Sequence, residues 1–201
     1  MDDQQPPPTS AGAKFVVFRF AMDDPEVALA DALQWIAAEP DCADAHYEAA
    51  LAYEDLEREA ERCREMLTVL SLDSRSTAGP LPGCDEIIGD EVEETLAELP
   101  HDFTDRLGPV TILVEPRPSR ELVESGVDAR ILGLFEGATS EELSSTDAPP
   151  TTTRILIFSH NLRAAFEDEA KLREEVRITV LHEIGHFFGL EEEDMERLGL
   201  E

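Results

Sequence analysis

Hydrophobic residues recur with helical spacing in the first part of the chain. Three successive segments between residues 24 and 74 have apolar positions three and four residues apart: DPEVALADALQWIAAEP, CADAHYEAALAYEDLER and EAERCREMLTVLSLD. Such spacing places the apolar side chains on one face of a helix. Asp24 and Pro25 mark the start of the first helix, because aspartate caps free N–H groups and proline is tolerated in the first turn. The pattern predicts packed helical hairpins.

The second half of the chain mixes short apolar runs with helical segments. The runs VTILVE, ILGLFEG and RILIFSHNL predict strands, whereas IIGDEVEETLAELP and PSRELVESG predict helices, the second with Ser119 as N-cap. In DEAKLREEVRITVLHEIGHFFGL an apolar residue recurs every four positions, which predicts a long helix. The segment ATSEELSSTDAPPTTT predicts a loop. Helices flanking a small sheet give an α+β fold class.

Polar and proline-rich stretches divide the chain. Residues 1–13 are predicted to be a disordered tail, since three consecutive prolines and polar neighbours cannot bury apolar surface. KFVVFRF, residues 14–20, is predicted to be a strand or a packed extended arm. SRSTAGPLPGCDE concentrates the residue types of a linker. The predicted organisation is therefore a tail over 1–13, an all-α region over 14–78 and a second domain over 79–201.

The helix ends in the first region have the spacing of a repeat. Pro40 and Ser74 close two helices 34 positions apart, which is the tetratricopeptide period. Small residues that allow close helix approach lie beside two tyrosines: Ala45, Ala49, Ala50 and Ala52 with Tyr47 and Tyr53. The region resembles one tetratricopeptide repeat preceded by the second helix of another, with Arg62 where a small residue is usual and Ser74 where proline is usual. The resemblance implies a surface that binds a protein partner.

The balance of charges narrows the choice of partners. The 201 residues are 42% hydrophobic, enough for a packed core, and 46 acidic against 16 basic residues give a formal charge of -30. Such a surface repels phosphate backbones and anionic membranes, and it attracts cationic peptides or proteins. Nucleic acid and membrane partners are therefore not expected. Without a signal-peptide pattern or a bilayer-spanning apolar run, the expected location is cytoplasmic.

The cysteines carry no metal-site pattern. Cys42, Cys63 and Cys84 are an odd number without a CxxC pair. Such usage predicts reduced thiols that are mainly structural, and no ligand role is assigned to them.

The strongest chemical signal lies in TVLHEIGHFFGLEEED near the end of the chain. His182 and His186 are four residues apart, so on a helix they project from one face about one turn apart and can hold one Zn²⁺ together. Glu183 is rotated by about 100° from His182, which places its carboxylate beside the metal, where it can accept a proton from water. The competing interpretation is an ordinary amphipathic helix that contains two histidines.

A glycine and an acidic run supply the candidates for a third ligand. Gly189 tolerates positive φ, as a helix that ends and turns the chain back towards the metal requires. In the extended motif HExxHxxGxx of zincin metallopeptidases the next ligand falls on Glu192, and a carboxylate oxygen is an acceptable zinc ligand. Glu193 and Asp194 are adjacent alternatives that sequence alone does not rank.

Several stretches of the second half together resemble the minimal zincin-like metallopeptidase family of bacteria. They are VEETLAELPHDFTDRLGPVTILVE, ILGLFEG, RILIFSHNLRAAF and LREEVRITVLHEIGHFFGLEEEDMERLGL, and they cover residues 85–201 in order. The resemblance implies a compact α+β domain with His182 and His186 as zinc ligands and Glu183 as general base. Family members often carry an aspartate at the position of Glu192. No methionine turn is expected, since Met195 follows His186 too closely to form a separate platform.

The sequence thus predicts a zinc-dependent peptidase that acts on a peptide or protein, with the helical region presenting substrates or partners. The alternative is a non-catalytic binding module with a structural or vestigial metal site. A fourth zinc position open to water would favour catalysis, whereas a fourth protein ligand would favour structure. RILIFSHNL is either an edge strand that pairs with an extended peptide or an ordinary structural strand.

Overall fold

The computed structural model describes residues 24–76, 83–107, 110–143 and 153–198. Within these ranges the helices and strands are α1 Pro25–Ala38, α2 Ala43–Asp55, α3 Glu59–Arg75, α4 Cys84–Glu98, α5 His101–Leu107, β1 Thr111–Glu115, α6 Arg120–Glu124, β2 Gly133–Glu136, α7 Ser140–Leu143, β3 Arg154–Phe158, α8 Ser159–Ala165, α9 Glu169–Phe187 and α10 Glu192–Leu198. The predicted tail over 1–13 and the segment over 14–20 lie outside the described residues.

Helices α1, α2 and α3 follow the predicted pattern. The Asp24 carboxylate accepts the Glu26 N–H at 3.0 Å, and Pro25 occupies the first turn of α1. Buried alanines let α1 and α2 approach closely around Leu29 and Tyr53. The three predicted helices are confirmed, whereas the tetratricopeptide resemblance and the domain division stay predictions.

The sheet has three strands in the order β1-β3-β2. β3 pairs in parallel with β1 and antiparallel with β2, so it is the central strand. Of the two alternatives for RILIFSHNL, the edge strand is therefore wrong and the ordinary structural strand is confirmed. The strand also ends earlier than predicted, because the chain turns into α8 at Ser159. Asn161, buried in α8, donates to the Ala129 and Ile131 carbonyls at 3.0 and 2.8 Å and fixes this turn.

Helix α9 packs against the sheet and α4 and encloses the main core. Its apolar stripe of Leu172, Val176, Val180 and Ile184 is buried together with Ile155 and Ile157 of β3 and Ile88 and Val92 of α4. The period-four pattern thus buries one side of the helix, as predicted. The molecule is an α+β protein in which a helical region precedes a small sheet flanked by helices.

Four of the described helices, α5, α7, α8 and α10, were not predicted. Helix α5 begins directly after Pro100, since proline that ends one helix also suits the entry to the next. Helix α7 lies in the predicted loop, where Thr139 and Glu142 form a capping box. The Glu142 carboxylate accepts the Thr139 N–H at 2.8 Å, and the Thr139 hydroxyl accepts the Glu142 N–H at 3.4 Å.

Helices α2 and α3 also contact the segment between β1 and β2. Met66 and Val69 of α3 share a buried cluster with Ala50, Val123 and Ala129.

Two compositional predictions bear on the described part of the chain. Cys42 and Cys63 are free thiols. None of the described helices combines the length and apolarity that crossing a bilayer requires.

Candidate metal centre

The two motif histidines face each other on the last turns of α9. Their Nε2 atoms are 2.9 Å apart, and the ring centroids are separated by 4.6 Å. Both rings therefore direct a nitrogen at a common point, as the i, i+4 spacing predicts.

The end of α9 brings Glu192 to this point. Gly189 adopts φ +80°, and its N–H donates to the His186 carbonyl at 2.9 Å while the Leu190 N–H donates to Gly185 at 3.0 Å. This pair of bonds is the Schellman arrangement, which reverses the chain after a helix. Glu192 then starts α10, with one carboxylate oxygen 3.4 Å from His186 Nε2 and the other 3.8 Å from His182 Nε2.

The three donors fit zinc by type and by spacing. Zinc bonds of about 2.0–2.2 Å in a tetrahedral site put ligand atoms about 3.3 Å apart. The donor atoms of His182, His186 and Glu192 all lie within 4.8 Å of one another. Glu192 is the most exposed of the three, with 73% of its side chain accessible.

The alternative ligands Glu193 and Asp194 are not brought to the histidines. Asp194 accepts the Glu191 N–H at 3.5 Å and pairs with Arg197. Glu193 is exposed at the start of α10. Within the described ranges, Glu192 is the one acid of this run whose carboxylate groups with the two histidines as a potential ligand.

Glu183 lies between α9 and β2, and only 7% of it is exposed. Burial raises the pKa of its carboxyl from 4.5 to about 7, against the lowering effects of His182 and of a hydrogen bond from the Phe135 N–H. A carboxylate with a pKa near neutrality can both accept and return a proton. Gly133 makes room for it, because a Cβ there would lie 2.9 Å from Glu183 Cγ and Oε1.

Strand β2 exposes main-chain N–H and C=O groups beside Glu183. The Phe158 N–H donates to the Leu132 carbonyl at 2.8 Å, and bonded pairs alternate along an antiparallel ladder. The N–H and C=O of Gly133 and Phe135 therefore point away from β3. The Phe135 N–H interacts with the Glu183 carboxylate, and among the described residues the Phe135 carbonyl and both groups of Gly133 have no main-chain partner on this outer edge.

These parts surround a cavity of about 600 Å³, within the range of ligand sites. It is open to solvent, and the residues that line it are Ile131, Leu132, Gly133, Leu134, Phe135, Thr139, Glu175, Ile178, Thr179, His182, Glu183, His186, Gly189, Leu190, Glu191 and Glu192. The walls are apolar, and the charged groups are carboxylates.

Met195 was missed by the sequence reasoning as a part of the centre. It is fully buried, and a Cβ on Gly185 would lie 2.2 Å from its methyl carbon. Met195 therefore occupies the space that the glycine leaves and pins α10 to the turn of α9 that carries His186. A methionine on the apolar side of a short acidic helix was the available signal.

Comparison with known proteins bears on the second half of the chain. Curated proteins give no match. The family model for zincin-like metallopeptidase matches residues 107–200, which are 94 of the 201 positions and leave α1 to α4 outside the match. The stretch from 107 to 200, which contains the histidines, Glu183 and Glu192, is thus similar to zincin-like metallopeptidases, a family that points to zinc-dependent peptidase chemistry.

Proposed function

We propose that the chain is a zinc-dependent peptidase in which His182, His186 and Glu192 hold the metal. The observation that carries the proposal is the convergence of these three donors beside a buried carboxylate in one open cavity. Three protein ligands leave one position for water or substrate, as in catalytic rather than structural zinc sites. When bound, zinc supplies Lewis-acid chemistry by lowering the pKa of water and polarising a carbonyl oxygen.

Glu183 is the proposed proton carrier. With a pKa near 7 it accepts a proton from the attacking water and passes it to the nitrogen of the departing amine. The bond from the Phe135 N–H orients the carboxylate and keeps it on the cavity side of β2. Burial of the carboxylate limits competing solvent around it.

The outer edge of β2 is the proposed substrate platform. An extended peptide can add to this edge through the groups of Gly133 and the Phe135 carbonyl, which would lay its backbone across the cavity. Side chains of the peptide would then pack against the apolar walls of the cavity.

Metal analysis and peptide hydrolysis on three variants test the proposal. His182→Ala is expected to lose zinc and activity together. Glu183→Gln is expected to keep zinc and lower kcat by a factor of about 100 or more, the usual contribution of a positioned acid or base. His101→Ala, on the exposed side of α5, is the matched control and is expected to resemble the wild type.

Two outcomes would contradict the proposal. Equal zinc content in wild type and His182→Ala would remove the metal site. Full zinc occupancy without hydrolysis of any peptide in a broad library would instead favour the non-catalytic binding module.

A further inference from the structure

The cavity continues from the metal donors towards the beginning of α9. Glu175, Ile178 and Thr179 line it together with His182. These positions precede His182 by seven, four and three residues, so all lie on one helix face. Seven residues at 1.5 Å each place Glu175 about 10 Å along the helix from His182.

Glu175 is a partly buried carboxylate that no described cation neutralises. Burial raises its pKa, and among the described residues the charged neighbour that acts on it is Glu174, which raises the pKa further. Lys171, one turn earlier on α9, is exposed, and no ion pair joins it to Glu175 within the described chain. Two other acids that are largely shielded from solvent are paired with arginines: Glu136 binds Arg154 at 2.7 Å, and Glu91 binds Arg173 at 3.4 Å.

Zinc would not compensate this charge. Four carboxylates line the cavity: Glu175, Glu183, Glu191 and Glu192. Two positive charges on the metal offset two of these four, which leaves the cavity negatively charged whether Glu183 is ionised or protonated. No lysine or arginine is among the lining residues from the described ranges.

The walls of the cavity can bind the aliphatic part of a lysine or arginine side chain. Ile131 and Ile178 line the cavity with apolar surface. Lysine and arginine pack their aliphatic stems on such surface while the charged end reaches an acid. A hydrogen-bonded ion pair at a partly buried site is stronger than an exposed one.

We propose that Glu175 selects peptides that carry a lysine or arginine side chain near the bond to be cleaved. With about 3.3 Å for each extended residue, a separation of about 10 Å corresponds to roughly three residues. This assignment of substrate class rests on the proposed peptidase function. The overall charge of -30 would assist it by drawing cationic peptides towards the surface.

The test uses the full chain loaded with zinc and a set of ten-residue peptides capped at both ends. Each peptide carries one lysine, moved across the four positions on either side of the cleaved bond, and each has a partner with the neutral isostere norleucine. The proteins are wild type, Glu175→Gln and the matched control Glu174→Gln, which removes the same charge from the exposed neighbour. Binding of the same peptides is measured with the zinc-loaded Glu183→Gln protein, with and without Glu175→Gln.

Wild type and Glu174→Gln are expected to prefer lysine at one position by about tenfold in kcat/KM, the worth of one charge-assisted hydrogen bond. Glu175→Gln is expected to lose that preference while it still cleaves the norleucine peptide. Equal use of lysine and norleucine by wild type, or an unchanged preference in Glu175→Gln, would overturn the assignment and leave the peptidase proposal standing.

The binding measurement decides the case in which no peptide is cleaved. Lysine-dependent binding that needs Glu175, without cleavage of any peptide, would overturn the peptidase function and support the ligand class. Neither cleavage nor lysine-dependent binding would overturn both.

Discussion

Gly133 decides, at the scale of single residues, where Glu183 can sit. A Cβ at this position would lie 2.7 Å from Thr179 Cγ2 and 2.9 Å from two atoms of Glu183. Thr179 is β-branched and has little freedom to move. The strain would therefore fall on the Glu183 side chain and on the spacing between β2 and α9.

Gly133→Ala is predicted to displace Glu183 from the Phe135 N–H. We expect kcat/KM to fall by a factor of about 10 to 100, in line with the usual contribution of a positioned base, while zinc content stays unchanged. Zinc analysis and peptide hydrolysis on the same preparation measure both effects.

Gly89→Ala is the control for this prediction, because a Cβ there meets nothing within 4 Å and the residue lies inside α4. Undiminished turnover in Gly133→Ala would show that the close approach does not position the base.

At the scale of single residues, the sequence predicted those features of the candidate site that follow from local helix geometry. The joint placement of His182 and His186 follows from helix geometry alone, and the positive φ of Gly189 follows from its place at a helix end. The setting of Glu183 depends on Phe135, which is distant along the chain. No pattern near Glu183 could have predicted that contact.

Among the elements, α10 is a helix of only 7 residues that carries Glu192, the proposed third metal donor, at its first position. It is held by Met195, which is buried under Gly185 of α9. The position of Glu192 therefore depends on the packing of a side chain three residues further along the same short helix.

Met195→Ala is predicted to loosen α10 and so to weaken zinc binding about tenfold. The loss of a fully buried methionine side chain should also cost about 3 kcal/mol of unfolding free energy. Competition with a chromophoric chelator measures the first effect, and urea denaturation measures the second.

Met195→Leu keeps the side-chain volume and is the matched control, with a smaller expected cost. Zinc affinity equal to wild type in Met195→Ala would refute the link between this packing and Glu192.

The elements also show why some predictions failed. RILIF was correctly predicted as a strand, but an apolar run does not reveal how many neighbours the strand has, and β3 proved central. The predicted strand ran past its true end at Phe158. The turn that ends it is held by hydrogen bonds from Asn161 to the segment between α6 and β2, which is distant in the sequence. Helix α7 was missed although Thr139 and Glu142 carry a local capping signal.

At the scale of the whole molecule, charged contacts join the helical region to the segment before β2. Arg130, close to the start of β2, binds Asp73 of α3 and Asp44 of α2, both at 2.9 Å. Tyr47 donates to Asp128 at 2.8 Å. The helices thus fix the segment from which the cavity edge emerges. These pairs join residues 57 to 86 positions apart, so the sequence alone could not predict them.

Asp73→Asn is predicted to lower the unfolding free energy of the whole protein by about 2 kcal/mol. The substitution removes the charge that Arg130 and Arg117 share, and the cost lies below the usual range because Arg130 keeps Asp44. Urea denaturation followed by the single tryptophan, Trp35 of α1, and by circular dichroism should give coincident, shifted transitions.

The exposed pair of Arg120 and Glu124, 2.8 Å apart, provides the control. Glu124→Gln should change stability by less than about 1 kcal/mol. An Asp73→Asn protein as stable as Glu124→Gln would show that the helices do not brace this segment.

The three donors occupy positions 182 to 192, whereas Glu183 meets Phe135 across 48 positions, from 135 to 183. Closing a short loop takes less chain entropy than bringing distant segments together. On the proposed function, the three donors would therefore come together before Glu183 reaches Phe135. Metal binding would then precede peptide cleavage during folding, so that a partly folded copy with a bound ion would not cleave the proteins around it.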